Sequence, residues 1–180
     1  MTPRHTVLLC ALSALGAWAI GTGTAKPAPT ARMRGVCWEA AHRIEANNLS
    51  PLHDLGVDWI SQTPFGWAPS LKSTEIRYDG SRGLWGETDD GLVKTAAFAH
   101  ALGIKTLLKP HLWVRHGEWP GDIAMATDDE WRQWFASYES FILHYATLAE
   151  ANGFDALAVG TELGKTTERT ADWRRIIARV

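Results

Sequence analysis

Leu102-Gly103-Ile104-Lys105-Thr106-Leu107-Leu108 decides the fold, because its punctuation recurs at Leu55-Gly56-Val57 and at Asn152-Gly153-Phe154. Each time a helical pattern runs into a glycine and an apolar run follows. A glycine just past a helix end takes up the left-handed conformation that closes the last turn without steric cost. Gly56 to Gly103 is 47 residues and Gly103 to Gly153 is 50, the spacing of one repeated strand–helix unit with long insertions. The runs themselves, Met33–Trp38, Val57–Phe65, Ile104–Val114 and Ala156–Leu163, are nearly continuous in apolar residues. Parallel strands covered on both faces read this way, whereas half-exposed strands alternate.

The helices between them carry their own signals. Ser50-Pro51 reads as an N-cap followed by proline at the first helical position. Asp89 or Asp90 caps a second helix running to Leu102. Thr127-Asp128-Asp129-Glu130 is a capping box for the longest helix. In that helix Trp131, Trp134, Phe135, Tyr138, Ile142, Tyr145, Leu148 and Ala149 fall at helical spacing, which makes the two tryptophans packing residues. A last stripe, Trp173, Ile176, Ile177 and Val180, repeats the pattern. Strands alternating with helices imply a parallel sheet with right-handed crossovers. Four units suit either a small doubly wound sheet or half of a (β/α)8 barrel. Gly35-Val36-Cys37-Trp38-Glu39 lacks the G-x-G-x-x-G turn of a dinucleotide-binding fold. A complete barrel takes roughly 250 residues. The expectation is therefore an α/β chain, a (β/α)8 TIM barrel with only about its first four βα units, truncated inside a helix.

Composition narrows the class. The 180 residues are 46% hydrophobic and 21% charged with a net charge of −2, so neither disorder nor an electrostatic footprint for nucleic acid or an anionic membrane is present. Arg4 and His5 precede the small and apolar run Val7–Ile20, and Gly23-Thr24-Ala25 follows it. That is the layout of a secretory signal, too short for a comfortable membrane span. Residues 1–25 are thus expected to be a signal peptide, 26–32 a linker and 33–180 the barrel half, in a protein that is secreted or periplasmic. Cys10 leaves with the signal, and Cys37 alone cannot form an internal disulfide. The chain also carries 10 Trp. Tryptophan presents a flat, rigid apolar face with one N–H donor. Sugar rings present flat C–H faces, so a tryptophan-rich exported domain leans towards carbohydrate, with about half of these residues assigned to the core.

In parallel α/β folds the chemistry gathers at the C-terminal ends of the strands. Those ends are Trp38-Glu39, Gln62-Thr63-Pro64-Phe65 with Trp67 beyond, Lys109-Pro110-His111-Leu112-Trp113, and Thr161-Glu162. Glu162 closes an apolar strand, where desolvation raises a carboxyl towards the range of a general acid. The alternative is a structural glutamate paired with a cation such as Lys109. Glu39 and Glu87 are weaker candidates, Glu87 standing where an acidic residue complements a helix dipole. Lys109 itself permits a Schiff-base reading. His111 and His116 have no companions at ligand spacing, so no metal site is expected, and no cofactor is called for.

Val57–Trp67, Trp85–Leu92, Gly103–Trp113 and Val159–Leu163, with Gly121–Met125, Trp131–Phe135 and Phe141–Ala146, resemble glycoside hydrolase family 113. The likeness runs in order from about Arg34 to Val180. It implies a (β/α)8 barrel acting on β-mannosidic linkages with retention of configuration. It also implies an acid/base glutamate ending strand four, which Glu162 matches, and a nucleophile glutamate ending strand seven, beyond Val180. Where the clan usually has asparagine before the acid/base, this sequence has Thr161, which still offers one hydrogen bond and bears on substrate preference. On this reading Trp38, Trp67, Trp85 and Trp113 are stacking walls, and Gln62, Lys109 and His111 bind hydroxyls of an oligo- or polysaccharide. Retaining hydrolysis needs two carboxyls about 5–5.5 Å apart, and one strand end supplies one of them. A non-catalytic carbohydrate-binding remnant is therefore the rival expectation. Open sheet edges would favour self-association of such a half-barrel.

Overall fold

The computed structural model describes residues 32–180, so the signal peptide expected over 1–25 and all but the last residue of the linker lie outside the described residues. Four parallel strands, β1 (Gly35–Trp38), β2 (Trp59–Gln62), β4 (Lys105–Leu108) and β6 (Ala156–Leu157), stand in the order β1-β2-β4-β6. A second parallel pair, β3 (Phe65–Ala68) and β5 (His111–Val114), continues β2 and β4. The register does not change across the gap: Gln62 pairs with Leu108 and Phe65 with His111. Each of the two long runs is thus one strand interrupted at a proline, Pro64 in one and Pro110 opposite it. Proline has no N–H to give the ladder. Lys109 N–H still donates to the Gln62 carbonyl at 2.8 Å and His111 N–H to the Pro64 carbonyl at 2.9 Å, which carries the register through.

The fourth strand is much shorter than the run Ala156–Leu163. Among the described residues its only strand neighbour is β4, which stops at Leu108 before Lys109-Pro110, so beyond Leu157 one ladder bond remains there, from Ala158 N–H to the Leu108 carbonyl at 2.9 Å. The chain then turns, and Glu162 sits at φ +53°.

Helices α1 (Ser50–Asp54), α2 (Asp89–Ala101), α3 (Asp128–Ala151) and α4 (Thr170–Ile177) fill the connections. Gly56, Gly103 and Gly153 have φ of 76°, 73° and 69°, the left-handed turn their position requires. The box at Thr127 is formed, with Glu130 N–H on Thr127 Oγ1 at 3.2 Å and Glu130 Oε2 on Thr127 N–H at 2.9 Å. Two caps differ from expectation. Helix α1 grows out of the 3-10 turn Ala46–Asn48, so Leu49 is its cap and Ser50 lies inside it. Helix α2 is capped by Thr88, whose Oγ1 accepts Gly91 N–H at 3.1 Å, because Asp89 reaches His144 Nε2 at 3.1 Å and Asp90 reaches Lys94 at 2.7 Å.

The core lies between the sheet and α3. Trp134, Phe135, Tyr138, Phe141, Ile142 and Tyr145 are buried against Leu108, Leu112, Val114 and Ile176, with Trp134 and Tyr138 stacked at 5.1 Å. The Tyr138 hydroxyl donates to the Val159 carbonyl at 2.9 Å and so pins the chain that leads to Glu162. A smaller cluster, Leu49, Ile60, Ala99 and Ile104, seats α2. Only one face of the sheet is covered in this way. Ile60, Gln62, Thr106 and Leu108 are buried on it, while Cys37 and Lys105 on the other are exposed and Trp59, Ser61 and Leu107 half-buried. The expectation of strands covered on both faces therefore holds for one face of the described residues.

Candidate active site

The C-terminal ends of the strands meet around a cleft of about 460 Å³. Strand β1 contributes Cys37 and Trp38, with Glu39 just past its end. The β2–β3 strand contributes Thr63 and Phe65, the turn before α2 Gly86 and Glu87, and the β4–β5 strand Lys109, His111 and Trp113. Glu162 closes the ring. Trp38, Lys109, His111, Trp113 and Glu162, five of the residues singled out in the sequence, are thus brought together.

Four more of the expected site residues, Gln62, Trp85, Thr161 and Trp67, are placed elsewhere. Gln62 is 1% exposed on the helix-covered face, with both amide atoms unpartnered, because the parity of β2 turns it away from the cleft. Trp85 is half-buried at the start of the 3-10 turn before α2, and Thr161 is half-buried beside Glu162; neither lines the cleft. Trp67 lies outside the cleft wall but packs on it, 6.0 Å from its cross-strand partner Trp113, and the two are 52% and 47% exposed. Phe65 completes this aromatic wall, 5.7 Å from His111 and 6.1 Å from Trp113.

Glu162 departs from its expected setting. Its side chain is 55% exposed, so the desolvation anticipated for a strand-end carboxyl is not found among the described residues. Nor is Lys109 its partner. Glu162 Oε2 accepts the Trp119 indole N–H at 3.2 Å and faces His111 Nε2 at 3.5 Å. His111 Nδ1 donates to the Leu112 carbonyl at 2.8 Å, since a carbonyl only accepts. The nitrogen facing Glu162 therefore bears a proton only when the imidazole is cationic. Glu87 is the carboxyl here that burial does raise; the Leu84 N–H it accepts pulls it back down and the nearby charge of Glu39 pushes it up again. Trp119 stands at no strand end and in no motif of the sequence. Its one available signal was its place in the loop after a strand end, and 43 residues separate it from Glu162. Among the described residues no group of three His, Cys, Asp or Glu is arranged to hold a metal ion.

A model of glycoside hydrolase family 113 matches residues 34–180. The chain belongs to glycoside hydrolase family 113. Solved family 113 structures agree with the architecture. A β-mannanase of this family, AaManA from Alicyclobacillus acidocaldarius in complex with ManMIm, is 28% identical. It aligns with a TM-score of 0.72 over 82% of this chain and 50% of that one. A family 113 β-1,4-mannanase described as a complex is 25% identical, with a TM-score of 0.69 over 81% of this chain and 50% of that one. A further family 113 β-1,4-mannanase is 28% identical, with a TM-score of 0.64 over 74% and 44% of the two chains. This chain thus spans about half the length of the structures it matches, and its parallel sheet with alternating helices is part of a (β/α)8 barrel. No curated protein sequence matches it.

Proposed function

We propose that this chain supplies the general acid/base, Glu162, of a secreted or periplasmic retaining hydrolase of β-mannan-type or related β-linked polysaccharide. The observation that carries the proposal is the position of Glu162. It follows the fourth strand, on the rim of a cleft walled by Trp38 and Trp113 and furnished with Lys109 and His111. In the first half-reaction the Glu162 carboxyl gives its proton to the glycosidic oxygen. That oxygen departs with the bonding pair of the broken C–O bond, and a second carboxylate takes the anomeric carbon. Glu162, now ionised, then removes a proton from the incoming water, whose oxygen bonds to the anomeric carbon as the bond from that carbon to the second carboxylate breaks and its electron pair returns to the carboxylate. The nucleophile that the family resemblance assigns to a seventh strand lies outside the four units described, so activity belongs to protein that carries that strand. Trp38 and Trp113 offer rings to sugar faces, and Lys109 and His111 offer donors to hydroxyls.

The test is Glu162→Gln in such protein, assayed on mannan and on an aryl β-mannoside with a good leaving group. Turnover of mannan collapses while the aryl substrate, which needs little acid assistance to depart, keeps more of its rate; unchanged mannan turnover overturns the proposal. The exposed Trp67–Trp113 pair favours one second reading, a carbohydrate-binding surface without catalysis. Calorimetric titration of mannooligosaccharides into Trp113→Ala, paired with the kinetics of Glu162→Gln, separates the two. Export is tested by the mass of the mature N-terminus, and self-association by sedimentation.

A further inference from the structure

The contacts of Glu162 converge on one of its two oxygens. Oε2 takes the Trp119 indole N–H at 3.2 Å and faces His111 Nε2 at 3.5 Å, while Oε1 makes no hydrogen bond among the described residues. An indole nitrogen donates and never accepts. At 3.5 Å His111 is within ion-pair reach but beyond the 2.5–3.0 Å or so of an O–H hydrogen bond, so it does not draw the carboxyl proton onto Oε2. The bare oxygen is the one that meets the indole, and the acidic proton is left to Oε1.

The position of Trp119 is itself built. Pro120–Asp122 form a 3-10 turn that Asp122 N–H closes on the Trp119 carbonyl at 3.0 Å. The indole lies flat over Gly121, where an added Cβ would overlap three of its ring carbons. Gly121 is buried and its φ is not in the left-handed region, so glycine serves here to admit the ring and not to free the backbone. From the other side Lys165 binds Asp122 at 2.9 Å, tying the turn that carries Trp119 to the turn that follows Glu162. Both partners of the hydrogen bond are thereby held by a second link between the same two loops.

We propose that Trp119 is the positioning residue of Glu162: its indole N–H fixes Oε2 as the acceptor and leaves Oε1 as the atom that carries and delivers the proton, with Gly121 as the seat of the ring. The proposal rests on the reading of Glu162 as general acid/base. Other ionisable groups surround the carboxyl: His111 on β5, Lys109 after β4, Cys37 and Glu39 from β1, Glu87 from the turn before α2, and Arg174 on α4. All are kept unchanged in the variants.

The experiment is a carboxyl-carbon NMR titration of this chain with labelled glutamate, the Glu162 signal being the one lost in Glu162→Gln. A donor to a carboxylate favours its charged form. Trp119→Phe keeps the ring and loses the donor, so the midpoint of Glu162 moves up relative to the wild type. Gly121→Ala, which keeps the indole but unseats it, moves the midpoint the same way. A midpoint unchanged in Trp119→Phe overturns the proposal, and that variant decides alone if Gly121→Ala does not fold. The readout needs no turnover. A shifted midpoint together with full mannan turnover in Glu162→Gln would keep the contact and remove the proton-delivery role. An unshifted midpoint with lost turnover would keep the acid and remove Trp119.

Discussion

The fourth strand has one carboxylate at its entry, Asp155, and another in the turn five residues beyond its last paired residue, Glu162, and the fold treats the two oppositely. Asp155, entering the strand, accepts Thr106 N–H at 2.9 Å and meets His100 Nε2 at 3.1 Å, and its own N–H goes to the Thr106 carbonyl at 3.0 Å. Asp58 repeats the device at the entry to β2, taking Arg34 N–H at 2.7 Å and Arg34 Nε at 3.0 Å. Glu162, in the turn after the strand, has φ +53° and is held by the Trp119 indole from a different loop. Gln62, at the exit of β2, is buried with its amide unpartnered. Satisfied polar groups at the N-terminal rim serve stability. Left-handed backbone and unpaired groups at the C-terminal rim are the kind of local cost that accumulates where chemistry is done.

That contrast is open to attack from both ends. The largest expected effect is kinetic: in protein carrying the whole barrel, Glu162→Gln lowers mannan turnover by about 10²–10⁴-fold, the usual worth of a general acid. The denaturant midpoint of that variant should stay where it was, and a large drop would mean that Glu162 is structural. At the other rim Asp155→Ala leaves the buried Thr106 N–H without its acceptor and should cost about 1–3 kcal/mol in urea unfolding. Calorimetry of mannooligosaccharide binding by the same variant should show no change.

The pH dependence sharpens the Asp155 side. Burial pushes its carboxyl up, but the Thr106 N–H and His100 outweigh that and hold it below the ordinary value. A carboxyl lowered in the folded state stabilises fully above its unfolded pKa, about 3.9, and the contribution fades as pH falls through the lower folded value. The stability gap between the wild type and Asp155→Asn should therefore be constant near neutrality and narrow only below about pH 4. A gap that does not narrow on acidification would mean that the folded state does not hold Asp155 down. The smallest effect concerns strain at Glu162. A left-handed φ costs a residue with a Cβ about 1–2 kcal/mol. Glu162→Gly should thus unfold at higher urea than Glu162→Ala by about that much, and equal midpoints would mean that the turn carries no strain.

What was legible in the sequence acts over one helical turn. Gly103 closes α2, Thr127 and Glu130 cap α3, and the stripe from Trp134 to Tyr145 faces the core, each through backbone geometry that reaches three or four residues. Errors arose where a distant group intervened. Asp89 does not cap α2 because His144, 55 residues on, engages it. The run Ala156–Leu163 does not continue as a strand because its neighbour ends before Pro110.

The site divides the same way. By itself the sequence determined that strands alternate with helices, where the first three helices stop, and that Trp38, Lys109, His111, Trp113 and Glu162 fall towards or beyond the C-terminal ends of the strands, since turn and cap chemistry is local; the last helix, whose stripe runs to Val180 in the sequence, stops at Ile177. Only the tertiary structure decided that Gln62 is buried and Cys37 is not, because strand parity is mute until helices choose a face. It alone decided that Trp119 meets Oε2 of Glu162. Burial and hydrogen bonding of that kind are properties of two chain segments at once, and neither segment's residues specify the other.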